Sequence, residues 1–260
     1  MITLGIGCSA EAENVLASAE LAASEDLRIL CYSSLPLDEP ESAHVGTVIS
    51  DRPHIAMIND LRAGKIQGAV RGTLSANETL RYLKTAYGVS RLERIALLET
   101  SRGERFFLAP VGVDEGWTVD EKIDLVTRGR ELARSFGLSE RTAVLSGGRI
   151  GDIGRHPVVD RSISDAMEVA EKTGAVHGEI LIEDMVKECG VIIAPDGISG
   201  NLIFRTLTFL GAGIGHGAPV MNIPGVFVDS SRASSGYVPA LNLTAAVVKK
   251  ISENIYQTIF

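Results

Sequence analysis

Ile2-Thr3-Leu4-Gly5-Ile6-Gly7-Cys8-Ser9-Ala10 is an apolar run that ends in closely spaced glycines. Ile2 to Ile6 reads as a buried strand. Ala10 to Ala23 reads as a helix, with Ser9 as its N-cap and Glu11 and Glu13 in its first turn. A strand feeding a helix through a tight glycine turn begins an α/β chain. The rest of the sequence keeps that rhythm. Leu27–Tyr32, Ile66–Val70, Ala143–Leu145 and Val191–Ala194 are strand-like, and Arg94–Leu98 with Arg105–Val111 suits a hairpin. Pro53–Ala63, Ser75–Tyr87, Thr118–Phe136, Arg161–Thr173, Asn201–Leu210 and Ala240–Tyr256 carry helical spacing. Residues 33–52 are polar, hold Pro36 and Pro40, and read as an excursion. Strands alternating with helices predict layers of helix on a mostly parallel sheet. Ligands of such folds sit at the carboxyl ends of the strands.

Composition narrows the classes. The 260 residues are 45% hydrophobic and 22% charged, an ordinary globular balance. A net charge of −8 and a pI near 5.2 argue against a general nucleic-acid binder or an anionic-membrane binder. Cys8, Cys31 and Cys189 are odd in number and widely spaced, so the expected compartment is reducing and cytoplasmic. The N-terminus has no basic segment of a secretory signal. The uncharged stretch from Arg205 to Asp229 is broken by four glycines and Pro219, Pro224 and Gly225, so it reads as helix end, loop and buried strand rather than a membrane span. No two of the five histidines stand at helical ligand spacing with one another or with a cysteine, and no metal site is expected.

Several loops after strands carry candidate chemistry. Gly5-Ile6-Gly7-Cys8-Ser9-Ala10 matches G-x-G-x-x-A, yet the acid expected roughly 20 residues on is missing, because the second strand ends in Cys31-Tyr32-Ser33-Ser34. In Asp196-Gly197-Ile198-Ser199-Gly200-Asn201 the glycines permit close approach, and a following helix N-terminus offers free N–H groups to an anion. Asp229-Ser230-Ser231-Arg232 puts an arginine beside hydroxyls at a strand end, as a phosphate requires. Ser146-Gly147-Gly148-Arg149 could cradle a phosphate with backbone amides, although it lacks the P-loop lysine. Arg71 and Thr73 follow another strand. Glu179, in His177-Gly178-Glu179, could serve in acid/base work. Each also has a structural reading, as a turn, a cap or a solvated edge.

In order, these segments resemble the phosphotransacetylase/phosphotransbutyrylase superfamily, which includes the phospholipid acyltransferase PlsX. Val70-Arg71-Gly72-Thr73-Leu74-Ser75 is similar to its early glycine segment. Ala143-Val144-Leu145-Ser146 is similar to "V-A-x-L-S", and His177-Gly178-Glu179-Ile180-Leu181 to "D-G-E-L-Q". Ala194 to Asn201 resembles "P-D-x-x-x-G-N", and Ser230-Ser231-Arg232-Ala233 the terminal S-R-A/G motif. The match covers most of the chain. Its length and the pair "A-P-D-G-I-S-G-N" and "V-F-V-D-S-S-R-A" most resemble a methanogen-restricted branch, named MtxX, methyltransferase-related, or methanogenesis marker protein.

The resemblance implies a three-layer α/β/α fold of the isopropylmalate-dehydrogenase kind with two subdomains, residues 1–137 plus 220–260 and residues 138–219. It implies a cleft gathering Arg71, Thr73, Ser146, Gly147, Gly148, Arg149, Glu179, Ser199, Gly200 and Asn201, with Arg232, Ser231 and Asp196 as catalytic residues. A phosphate-bearing or acyl-phosphate ligand, CoA or another thiol as co-substrate, a homodimer and methyltransferase components as partners are further implications. One departure stands out. The superfamily places an aspartate shortly after the Ser-Arg pair as the thiol's base. Here Ala233-Ser234-Ser235-Gly236 follows, with Val238 six residues past Arg232. The other reading the residues allow is therefore an accessory protein of methyl transfer without acyltransferase turnover.

Overall fold

The computed structural model describes residues 1–9 and 12–259, with side chains through residue 253. Ala10 and Glu11, read above as the start of the first helix, lie outside the described residues. The chain divides into two compact units, Met1–Ser90 with the segment from His216 onward, and Arg91–Gly215. The first junction thus falls at 90/91 rather than at 137/138. The reason is pairing: the hairpin and long helix of residues 96–135 pack on the strand at Val191–Ile193, so they belong with the middle of the chain.

The first unit opens with β1 (Ile2–Cys8), α1 (Ala12–Ala22), β2 (Leu27–Ser33), β3 (Val45–Ile49), α2 (Pro53–Arg62), β4 (Gly68–Val70) and α3 (Ala76–Tyr87). The second holds β5 (Ala96–Glu99), β6 (Arg105–Ala109), α4 (Val119–Ser135), β7 (Thr142–Leu145), α5 (Pro157–Thr173), β8 (Val176–Glu179), α6 (Ile182–Met185), β9 (Val191–Ile193) and α7 (Gly197–Phe209). The chain then forms β10 (Ile214–Pro219), β11 (Val226–Asp229) and α8 (Val238–Ile259).

In the first unit the strands run β3-β2-β1-β4-β11-β10. All neighbours are parallel except β10 with β11, with Ile6 opposite Cys31 and Val70, and Val70 opposite Val228. Helices α1 and α8 pack on one another, as do α2 and α3, and both pairs cover strands. Leu4, Ile6, Ile29, Tyr32, Met57 and Phe227 are fully buried here. Strand order reverses about β1, because β2 lies on one side of it and β4 on the other. That reversal leaves a crevice at the carboxyl ends of β1 and β4, where open α/β sheets bind ligands.

In the second unit β5 is antiparallel to β6, and β6, β9, β7 and β8 follow in parallel. Helix α4 is the longest pattern read in the sequence. Thr118 caps it by accepting from the Glu121 N–H at 3.2 Å, and Gly137 turns the chain at φ 70°. Helix α7 begins at Gly197, four residues before the sequence pattern, and turns Leu202 outward, 59% exposed, with its C-cap Leu210 84% exposed. No helix among the described residues is long and apolar enough to cross a membrane.

Candidate functional site at the strand ends

Three loops of the first unit knot together past β1, β4 and β11. The Ser9 N–H donates to Thr73 Oγ1 at 2.8 Å, the Ser9 hydroxyl donates to Thr73 O at 2.7 Å, and the Thr73 N–H donates to Gly7 O at 3.1 Å. Gly72 has φ 61°, and a side chain there would run into Gly7 O; one at Gly7 would run into Leu74. Gly7 of G-x-G-x-x-A therefore admits a neighbouring loop of the same chain. Thr73 is buried, and its hydroxyl holds the turn after β1.

Arg71 is also buried. Its Nε donates to Asp229 Oδ1 at 2.5 Å, one terminal nitrogen donates to Leu74 O at 2.8 Å, and the other to Ser230 O. It thus ties the loop after β4 to the loop after β11. Ser231 is half-buried. Its hydroxyl accepts from the Ala233 N–H at 3.2 Å, and its carbonyl accepts from the Tyr237 hydroxyl at 3.3 Å. Arg232 is exposed, and no hydrogen bond or ion pair engages its guanidinium among the described residues. It stands at a cavity of about 730 Å³ that also reaches Ser9, Ser34 and Ser75. The structure thus groups Arg71, Thr73, Ser231 and Arg232: Arg71 and Thr73 tie neighbouring loops, Ser231 bonds within its own segment, and Arg232 is free among the described residues.

The second unit forms two clusters from the remaining candidates. In the first, Ser146 directly follows β7, fully enclosed. Its hydroxyl lies 2.9 Å from His177 Nε2 and donates to Gly148 O at 2.8 Å. Burial pushes the His177 imidazole below its ordinary range, and the Glu179 carboxylate opposes that shift. Glu179 has φ 52°, an uncommon conformation for a side-chain-bearing residue. Its Oε1 accepts from the Ile150 N–H at 3.0 Å, and its carbonyl accepts from the Ser146 N–H at 2.8 Å. The Gly147 N–H donates to Ser162 Oγ at 2.9 Å, and Arg149 stays exposed. Asp152 accepts from the Arg149 N–H at 2.9 Å and from Arg155; these two hydrogen bonds lower its carboxyl below the usual range. The glycine loop is thus pinned from both sides.

The second cluster is the start of α7. Asp196 is its N-cap, and Oδ1 accepts from the Ser199 N–H at 2.8 Å. Side chains at Gly197 or Gly200 would strike the carbonyls of Gly112 or Pro110, and Asn201 Nδ2 donates to Val111 O at 3.1 Å. The segment packs on residues 110–115, where Glu115 bonds to buried Arg94 at 2.6 Å. Here the glycines serve close packing as well as helix initiation. Arg52, His54 and Arg81, which belong to no sequence motif, line the same cavity as Arg232. Their available signal was position: Arg52 directly precedes Pro53, the kind of residue that opens helices.

No family model matches the chain. A protein of Methanosarcina barkeri, "Putative methyltransferase mtx subunit X", is 47% identical over 205 residues, covering 77% of this chain and 76% of that protein. Its namesake from Methanosarcina acetivorans is 44% identical over 231 residues, 85% of this chain and 82% of the relative. A solved branched-chain phosphotransacylase from Enterococcus faecalis V583 superposes with a TM-score of 0.75 at 17% identity, over 95% of this chain and 99% of that one. At that identity the likeness is one of fold, and it is the three-layer fold implied by the sequence motifs. Relatives at this identity and coverage place the chain in the mtx subunit X family, and the superposition gives it a phosphotransacylase-like fold.

Proposed function

We propose that the protein binds a phosphate-bearing small molecule at the carboxyl ends of β1, β4 and β11 and acts as a transferase of the phosphate-acyltransferase type. One observation carries this reading: Arg232 presents an unengaged guanidinium to a cavity of about 730 Å³ at the strand ends. An arginine fork suits phosphate oxygens, and a strand-end crevice is where such sheets bind ligands. Arg71 positions the loop carrying Ser231 and Arg232, and Thr73 holds the adjoining turn after β1. In the reaction, a thiol such as CoA attacks the carbonyl carbon of an acyl phosphate, the C–S bond of the thioester forms as the C–O bond to phosphate breaks, and the thiol proton ends on the departing phosphate. Arg232 then holds the departing phosphate and disperses charge on it.

A second reading rests on a separate observation. The residues after Arg232 supply no carboxylate to deprotonate a thiol, and the relatives carry a methyltransferase name. On that reading the protein keeps the anion site and serves methyl-transfer machinery as an accessory component. An assay with acetyl phosphate and CoA separates the two. Thioester formation that disappears in Arg232→Ala supports the transferase. Binding of acetyl phosphate without thioester formation supports the accessory role.

A further inference from the structure

The cavity extends from Arg232 to a region that no sequence motif marks. Arg52 stands just before α2 and Arg81 on α3, both exposed, and neither guanidinium has a hydrogen-bond or ion-pair partner among the described residues. Asp51 and Glu78 line the same space, and no ion pair engages either carboxylate among the described residues. Ser75 opens α3 without its side chain capping the helix, so its hydroxyl is uncommitted beside the first-turn N–H groups. His54 lies edge-on to Tyr82, with ring centroids 6.2 Å apart. Burial lowers the His54 pKa, Glu78 opposes that, and Arg52 and Arg81 lower it further, which places all three charged groups in electrostatic reach of one ring.

Cations and carboxylates that share a cavity without pairing to one another suit a ligand with both anionic oxygens and hydroxyl donors. Phosphate alone would use the arginines and be repelled by Asp51 and Glu78. A sugar phosphate satisfies both sets, because sugar hydroxyls donate to carboxylates while phosphate oxygens accept from guanidinium. The N-termini of α2 and α3 add positive potential on the same side.

We infer that this end of the cavity is a subsite for a phosphorylated polyol, a sugar phosphate or a nucleotide, with its phosphate on Arg52 and Arg81 and its hydroxyls on Asp51 and Glu78. The subsite deepens the phosphate reading of Arg232, since both lie in one cavity, but it rests on different side chains and can fail separately.

The test is calorimetric titration of the full chain with inorganic phosphate, D-ribose 5-phosphate and ADP. Ribose 5-phosphate is expected to bind more tightly than inorganic phosphate. Arg52→Ala and Arg81→Ala, both at exposed unpaired side chains, should each weaken it about tenfold or more. Asp51→Asn combined with Glu78→Gln should erase its advantage over inorganic phosphate. ADP binding more tightly than ribose 5-phosphate assigns the subsite to nucleotides, and the reverse assigns it to sugar phosphates. No saturable binding of either organic phosphate at millimolar concentration overturns the inference. So does binding that Arg52→Ala and Arg81→Ala leave unchanged while Arg232→Ala abolishes it; that outcome keeps the Arg232 reading. Loss on Arg52→Ala and Arg81→Ala with none on Arg232→Ala keeps the subsite and removes the Arg232 reading.

Discussion

Arg71 Nε sits 2.5 Å from Asp229 Oδ1, with the two side chains 6% and 14% exposed. This pair joins the loop after β4 to the end of β11, and Arg71 adds bonds to two carbonyls. Removing one partner of a buried pair leaves the other charge uncompensated, a loss of about 3–5 kcal/mol. Arg71→Ala should therefore lower unfolding free energy by that order in urea titration. Arg71→Lys should recover only part of it, since an ammonium cannot span Asp229, Leu74 and Ser230 together. A loss under about 1 kcal/mol, as exposed pairs give, would show that the pair does not organise the loops.

Gly72 permits the loops after β1 and β4 to touch. Gly72→Ala combines a positive φ with a clash against Gly7 O. The expected cost exceeds about 2 kcal/mol, since strain and displaced backbone add. Gly64→Ala is the control: its φ is 70°, but nothing lies near its added carbon, so it should cost roughly 1 kcal/mol from strain alone. Equal costs for both, measured by thermal unfolding, would remove the close-approach argument.

Asp196 caps α7. Asp196→Ala should cost about 1 kcal/mol, while Asp196→Asn, also a good cap, should leave stability nearly unchanged. The pair separates capping from acid/base work. If Asp196 also moves a proton, the asparagine variant keeps its melting temperature and loses turnover. If it keeps both, Asp196 only caps.

Burial lowers the His177 pKa from 6.5, so the folded state takes up this proton at lower pH than the unfolded chain does. Below about pH 6.5 the unfolded state binds more protons, and His177 takes stability away as pH falls until the folded imidazole also protonates. NMR titration should place the His177 midpoint below 6.5, and His177→Gln should reduce the acid-side loss. A midpoint above 6.5 would mean that Glu179, not burial, governs the ring.

Most of the alternating α/β pattern was legible because aliphatic strands and capped amphipathic helices carry their own periods. Strand β3 was not. Only Val45 of its five residues is buried, so an edge strand within a polar stretch resembled a loop. Helix α7 started early because Gly197 and Gly200, which read as loop formers, are required by the backbone at 110–112. Motif spacing picked out Arg71, Thr73, Ser231 and Arg232, but it could not show that Arg71 and Thr73 spend their polar groups on neighbouring loops. Arg52 and Arg81 carried no motif, since only the parallel order β3-β2-β1-β4 brings the loops around them to one cavity.

The proposed phosphate site at the strand ends turns on Arg232. Thermal unfolding of the wild-type chain and Arg232→Ala, with and without acetyl phosphate, tests it most directly. A ligand at a hundred times its Kd adds about 2.7 kcal/mol. Acetyl phosphate should raise the wild-type Tm and leave that of Arg232→Ala unmoved, the two proteins being equally stable without ligand. Equal stabilisation of both would contradict it.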